Sequence, residues 1–291
     1  MERITEHAPA KINLTLQVTG RRNDGYHLLR SLVGFGEVGD VIHFTPSDEF
    51  SLHVSGPFAK ELENANPENN LVLRAARSLA HLCGVERGAE LHLTKNLPVA
   101  SGIGGGSADA AATLRGLARL WAIKDLADEK YQDLALSLGA DVPVCLDSKC
   151  AWMEGIGDQL SVGPSLPILH GVLLNPGVAV STPDIFNRLK GRFSSKIHQP
   201  SGFSSLDDFR AYLTLAGNDL QKPACELEPV ITAALGQLQV QGSCVYSGMS
   251  GSGATCFGLF DSAEHAETAA AAIKLEHPDW WVVPTAINSK H

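Results

Sequence analysis

The sequence predicts an α+β protein of two domains, and three observations predict it. Strict apolar alternation marks a strand near the start. Two amphipathic helices interleave with short strands, without the regular βαβ rhythm of a doubly wound parallel sheet. A Pro/Gly-rich stretch then interrupts the chain near its middle.

The first strand is Ile12-Asn13-Leu14-Thr15-Leu16-Gln17-Val18, whose alternation predicts a half-buried element with Lys11, Asn13, Thr15 and Gln17 on the face away from the core. Arg21-Arg22-Asn23-Asp24-Gly25 reads as a polar turn. Further strands are predicted near 41–44, 50–54 and 89–93. One helix follows Pro67-Glu68-Asn69 and carries Leu71, Ala75, Leu79 and Leu82 on one stripe. The other follows Gly104-Gly105-Gly106-Ser107, with Ala110, Leu114, Leu117, Ala118 and Trp121 at helical spacing. The stretch 161–167 (Ser-Val-Gly-Pro-Ser-Leu-Pro) suggests a boundary that divides the chain into residues 1–157 and 158–291. Beyond it come strands near 172–174, 255–260 and 281–283, and helices near 182–189, 229–238 and 263–275. Residues 191–205 read as a long polar loop.

Composition narrows the function classes. With 44% hydrophobic and 19% charged residues over 291 positions, a core forms without metal or disulfide staples. No apolar run approaches the roughly 18 residues that span a bilayer, and the opening Met1-Glu2-Arg3-Ile4-Thr5-Glu6-His7 lacks a signal-peptide stretch. The expectation is a cytoplasmic protein away from membranes. The six cysteines show no CxxC spacing and read as reduced and mostly buried. The eleven histidines show no ligand spacing such as HExxH. A net charge of −9 argues against a nucleic-acid partner but leaves small anionic substrates open, because backbone N–H groups hold phosphate locally.

The most informative stretch is Leu97-Pro98-Val99-Ala100-Ser101-Gly102-Ile103-Gly104-Gly105-Gly106-Ser107-Ala108. Four glycines in five positions, followed at once by a helix, aim several N–H groups and a positive helix end at one spot. A phosphate loop is one reading; a tight turn with Ser107 as an ordinary N-cap is the other. A Walker A loop needs a lysine between Gly106 and Ser107, and a dinucleotide fingerprint from Gly102 needs Gly or Ala at position 107. Neither fits.

What fits is a resemblance. The stretch is similar to the second motif of the GHMP kinase superfamily, in the triple-glycine form of the branch acting on a diphosphocytidyl polyol. Ala8-Pro9-Ala10-Lys11-Ile12-Asn13-Leu14 with Gly20-Arg21-Arg22-Asn23-Asp24-Gly25-Tyr26-His27 resembles its opening motif, and Gly139-Ala140-Asp141-Val142-Pro143 its catalytic loop. Ser247-Gly248-Met249-Ser250-Gly251-Ser252-Gly253-Ala254-Thr255 resembles its C-terminal glycine motif. Ala254 departs from a frequent proline, and Asn175 from a frequent histidine.

The resemblance implies a ribosomal-protein-S5-like N-terminal domain and a ferredoxin-like C-terminal domain. It implies phosphoryl transfer from ATP, with Mg²⁺ bridging the phosphate oxygens, to the 2-hydroxyl of a cytidylyl-linked methylerythritol destined for isoprenoid precursors. Asp141 becomes the proton acceptor and Lys11 its supporting cation; the alternatives are an N-cap or turn aspartate and a solvated lysine. ATP binds along 98–108 with its phosphates on Gly102–Ala108 and Ser107 near the metal, while Lys95 and Asn70 become nucleotide contacts or else ordinary surface residues. Tyr26, His27 and Phe186 fall in the cytosine pocket, with Asn13 as a further substrate contact nearby on the Lys11 face; the alternative for Phe186 is core packing. Rival readings are a homoserine- or mevalonate-type kinase, and a catalytically silent nucleotide-binding protein on the same fold.

Overall fold

A computed structural model describes residues 3–63, 66–124 and 127–288, so Met1 and Glu2 of the opening segment lie outside it. The chain forms two compact units: Met1–Ala10, Val38–Val99 and Gly104–Ser148 in one, and Lys11–Glu37, Ala100–Ile103 and Lys149–His291 in the other. Both contain helices and sheet, as expected of an α+β protein.

Strands β1 (Ile4–Arg21) and β2 (His27–Ser47) each contribute one end to either unit. In the first unit, β2 pairs antiparallel with β4 (Gly88–Thr94) from Val41↔Thr94 to Ser47↔Gly88, and β4 pairs parallel with β3 (Ser51–Ser55). A single turn, α1 (Lys60–Glu63), precedes α2 (Leu71–Cys83); then follow α3 (Gly105–Leu120), α4 (Asp128–Leu138) and α5 (Val142–Asp147). Phe44, Leu79, Leu91, Leu93, Leu114 and Leu117 are buried here. Helix α3 approaches the sheet so closely that a Cβ on Gly116 would lie 2.3 Å from the Phe44 ring. Leu82, expected on the apolar stripe of α2, is exposed, because it lies in the last turn before Gly84 ends the helix in a left-handed conformation. Trp121 stands just past α3, its ring edge-on to Phe50.

In the second unit, β2 pairs antiparallel with β5 (Ala151–Gly155), which forms a hairpin with β6 (Gln159–Val162). Strand β7 (Leu169–Asn175) leads to α6 (Thr182–Arg188), α7 (Leu206–Ala216), α8 (Gln221–Leu227) and α9 (Val230–Gln239). Strands β8 (Cys244–Met249) and β9 (Cys256–Phe260), helix α10 (Ala263–Glu276) and β10 (Trp281–Ile287) complete it. The order is β10-β7-β9-β8, antiparallel throughout, and Ile287 reaches Gly36 of β2. Leu174, Leu235, Leu238, Phe260 and Ile273 belong to its core.

One expectation is overturned on β1. Lys11, Asn13, Thr15 and Gln17 are all buried, so both faces of this strand are covered. The polar face survives burial because it is hydrogen-bonded. The Asn13 amide donates to Ser31 Oγ at 2.8 Å, the Leu32 N–H donates to Thr15 Oγ1 at 3.1 Å, and Gln17 Nε2 donates to the Ser195 carbonyl at 3.1 Å. The six cysteines are free, with Cys145 and Cys256 buried and the other four half-buried. Among the described residues, no helix is long and apolar enough to cross a membrane.

Candidate active site

Within the first unit, α3 begins at Gly105, and its N-cap is Gly104 in a left-handed conformation with no side-chain cap. Ser107 therefore lies inside the first turn and is not the N-cap. The first backbone bond runs from Ala108 N–H to the Gly104 carbonyl at 2.8 Å, so the N–H groups of Gly105, Gly106 and Ser107 precede the helical ladder. Three such donors and the positive helix end suit an anion. Pro98 is buried, Val99 donates its N–H to Glu61 Oε2 at 3.3 Å, and Ala100 is exposed with φ of +50°.

The stems of this loop are joined by buried charge. Lys95, immediately after β4, is 3% exposed, so it is not a surface residue. Its Nζ donates to Asp40 Oδ2 at 2.5 Å and to Asp109 Oδ2 of α3 at 2.7 Å. Asp40 Oδ1 also accepts the N–H groups of Asn96 at 2.6 Å and Leu97 at 2.9 Å. A Cβ on Gly105 would lie 3.2 Å from Lys95 Nζ. One ammonium thus staples the strand before the loop to the helix after it. Burial opposes the Lys95 charge, but Asp109 and Asp40 more than offset it and its pKa is raised. Burial also pushes the Asp109 carboxyl up to about 7, against the pull of Lys95 and with added repulsion from Asp40. Among the described residues, Asp109 Oδ1 has no hydrogen-bond partner.

Asp40 and Asp109 were not singled out from the sequence, though each leaves a signal. Asp40 alternates with Ile42 and Phe44 on a core face, and Asp109 sits among Ala108, Ala110, Ala111 and Ala112; all are buried. A carboxylate in a buried stretch demands a partner.

Asn70 is the N-cap of α2, its Oδ1 accepting the Val72 N–H at 2.9 Å. Asp141 occupies the position before α5 but makes no side-chain capping bond, which weakens the reading of it as a helix cap.

Within the second unit, the arc Ser101–Gly102–Ile103 is held from two sides. The Lys11 N–H donates to the Ile103 carbonyl at 3.0 Å and the Thr255 N–H to the Ser101 carbonyl at 3.1 Å. Ser250 Oγ donates to the Gly102 carbonyl and accepts the Asn13 N–H, each at 2.9 Å. A Cβ on Gly102 would lie 2.4 Å from the Ser250 carbonyl, so this glycine is required by close approach. The C-terminal glycine motif therefore braces the arc. Asn13 Oδ1 is buried without a partner among the described residues, an acceptor left over after the Asn13 amide N–H donates to Ser31.

Tyr26, His27 and Phe186 come together in the same unit, lining a cavity of about 450 Å³ with Arg21, Leu29 and Ile156 among its other walls. The turn from Arg22 to Tyr26 closes through the Arg22 N–H and Tyr26 carbonyl at 2.7 Å. Tyr26 is 62% exposed, and the His27 ring stacks on Phe186 at 4.6 Å and 21°. Burial and then the Arg21 charge lower the His27 pKa, which favours a neutral imidazole with one donor and one acceptor nitrogen.

Among the described residues, no group of three or more His, Cys, Asp or Glu is placed to hold a metal ion. Mg²⁺ takes few protein ligands when phosphates supply its oxygens, and the Ser107 hydroxyl lies in the first turn of α3, beside the N–H groups that precede the helical ladder.

Comparison with known proteins follows this geometry. The GHMP kinases N terminal domain matches residues 70–149, and the GHMP kinases C terminal domain matches residues 199–279. A curated protein of Ruegeria pomeroyi named 4-diphosphocytidyl-2-C-methyl-D-erythritol kinase is 52% identical, covering 96% of this chain and 97% of its own. Its namesake in Rhizobium etli is 49% identical, covering 97% and 94%. A crystal structure of 4-(cytidine 5'-diphospho)-2C-methyl-D-erythritol kinase superposes with a TM-score of 0.79 at 30% identity, covering 99% of this chain and 100% of that one. Homoserine kinase from Cytophaga hutchinsonii, at 19% identity and a TM-score of 0.67 over 100% and 96% of the two chains, shares the fold.

Proposed function

Because this chain belongs to the 4-diphosphocytidyl-2-C-methyl-D-erythritol kinase family of the GHMP kinases, we propose that it transfers the γ-phosphoryl group of ATP to the 2-hydroxyl of that diphosphocytidyl polyol, a step toward isoprenoid precursors. The observation that carries this reading is identity of about half the residues along nearly the whole chain. The cavity walled by Tyr26, His27 and Phe186 supports it, since a cytosine offers a flat face and a polar edge.

In this mechanism the 2-hydroxyl oxygen attacks the γ-phosphorus, the bond to the β–γ bridging oxygen breaks, and ADP leaves. Asp141 takes the hydroxyl proton, and the Lys11 ammonium favours the developing alkoxide. The N–H groups of Gly105, Gly106 and Ser107 bind phosphate oxygens, and residues 98–104 shape the approach. Mg²⁺, where bound, neutralises charge on the phosphate oxygens. Asn70 flanks the nucleotide. Lys95 acts on the nucleotide by setting the spacing of the loop stems, a role supported by its two buried carboxylate partners. Asn13 offers its unpaired oxygen to the polyol. In chain order, residues 1–157 carry the phosphate loop and Asp141, and residues 158–291 bring Phe186 and the C-terminal glycine motif. The protein works in the cytoplasm on small molecules without a nucleic-acid partner, a reading supported by its free cysteines and its charge of −9.

The test is product analysis after incubation with Mg²⁺, ATP and the diphosphocytidyl polyol. Phosphate on the 2-oxygen is expected. Turnover of homoserine or mevalonate, with none of the polyol, would refute the reading.

A further inference from the structure

Residues 191–205 contain no helix or paired strand beyond an isolated bridge from Ser165 to Gly202, yet the segment is tied down along much of its length. The Ser194 N–H donates to the Val18 carbonyl at 2.9 Å, and Ser194 Oγ donates to Asp219 Oδ1 at 2.8 Å. Gln17 Nε2 reaches the Ser195 carbonyl, and Arg30 Nη1 reaches the Ile197 carbonyl at 2.6 Å. Arg30 is itself braced by Glu154 at 3.0 Å. A polar loop tethered to β1 and β2 in this way is a strap of fixed shape. Gln17, on the buried polar face of β1, supplies one of these tethers.

Phe193 stands immediately before the first tether. It is a large apolar side chain, 43% exposed. Its ring meets the His27 imidazole edge-on, with centroids 6.4 Å apart and planes at 61°. His27 also stacks on Phe186. The imidazole is thus bracketed by one phenyl ring from α6 and one from the strap. An imidazole has a broad, roughly two-fold torsion about its bond to Cβ. A group that reads the edge of a base is useful only when that torsion is fixed, because a rotated ring presents a donor where an acceptor is needed.

We propose that Phe193 is a positioning residue: the strap holds it against His27 so that His27 keeps the orientation that distinguishes a cytosine edge from a uracil edge. This inference rests on the cytosine-pocket reading above and adds a residue from outside the recognised motifs. Phe193 need not touch the base itself.

The experiment uses the full chain with Phe193→Ala, Phe193→Leu, His27→Ala and the His27→Ala/Phe193→Ala double variant. Initial rates are measured with the cytidine substrate and its uridine analogue, after thermal melts establish that each variant folds. Phe193→Ala is expected to lower kcat/KM for the cytidine form by about 3- to 10-fold, the range of one aromatic edge contact. The loss should appear mainly in KM, with a reduced cytidine-over-uridine preference and an unchanged KM for ATP. Phe193→Leu should fall between. In the His27→Ala background the Phe193 change should have no further effect, because a positioning residue acts only through the group it positions. Multiplying effects of the two substitutions, or equal losses for both bases, would overturn the inference while leaving the pocket intact. A His27→Ala variant that keeps full cytidine preference would overturn the pocket reading and this inference together.

Discussion

The stems of the glycine loop and the walls of the aromatic cavity are held by opposite kinds of contact. At the stems, an ammonium and two carboxylates are almost wholly buried and share short hydrogen bonds. In the cavity, the rings of Tyr26, His27 and Phe186 are exposed or half-buried, and those of His27 and Phe186 meet through their faces. Buried charge is unforgiving: removing one partner of such a pair costs about 3–5 kcal/mol, because the other is left uncompensated. Aromatic contact is forgiving and graded. In the proposed mechanism, a loop that must present N–H groups to a polyanion with little slack gains from the first, and a cavity that admits and releases a base on every turnover gains from the second.

The largest expected effect belongs to residues of neither region, and it sharpens the contrast between binding and chemistry. Asp141→Asn and Lys11→Ala should each lower kcat by about 10²-fold or more, with nucleotide binding largely intact. Near-normal turnover in Asp141→Asn would make Asp141 a turn residue. Next in size, Tyr26→Ala and Phe186→Ala should each lower kcat/KM for the cytidylyl substrate by roughly 10- to 100-fold, the worth of a stacked base. The uridine analogue should be a much poorer substrate for the unmodified protein. Indifference to both substitutions would reduce these rings to packing.

A more moderate effect is expected at Gly105. Its Cβ would sit 3.2 Å from a Lys95 ammonium that two carboxylates prevent from yielding, and it would also crowd the approaching phosphate. Gly105→Val should raise the KM for ATP by about 10-fold or more. The smallest effect is on stability. Because the Asp109 pKa is raised to about 7 in the folded protein, its contribution is greatest below the ordinary carboxylate range. That contribution is lost as pH rises from about 4 to about 7. Asp109→Asn, which keeps the hydrogen bond and removes the titration, should lose less thermal stability than the unmodified protein between about pH 4 and about pH 7. Parallel melting curves across this range would show that the carboxyl does not titrate there.

Legibility from sequence divided along the same line. Glycine spacing ahead of a helix is a local pattern, so the loop and α3 were readable, as were α2, β4 and β7 from periodicity. The staple was not, because Asp40, Lys95 and Asp109 lie on separate elements and only tertiary pairing reveals their purpose. Burial of Lys11, Asn13, Thr15 and Gln17 was missed for the same reason: alternation says which residues share a face, not whether a second layer covers it. The aromatic cavity was legible only through family resemblance, since Tyr26–His27 and Phe186 are far apart in sequence. The strap looked like an unstructured loop because its tethers are backbone groups and side chains of distant strands.

The central claim is that the two regions serve two different substrates, and a two-substrate initial-rate study of Gly105→Val and Phe186→Ala tests it most directly. The account predicts that Gly105→Val raises the KM for ATP while that for the cytidylyl polyol stays within about twofold, and that Phe186→Ala does the reverse. Both variants raising both KM values alike would contradict it.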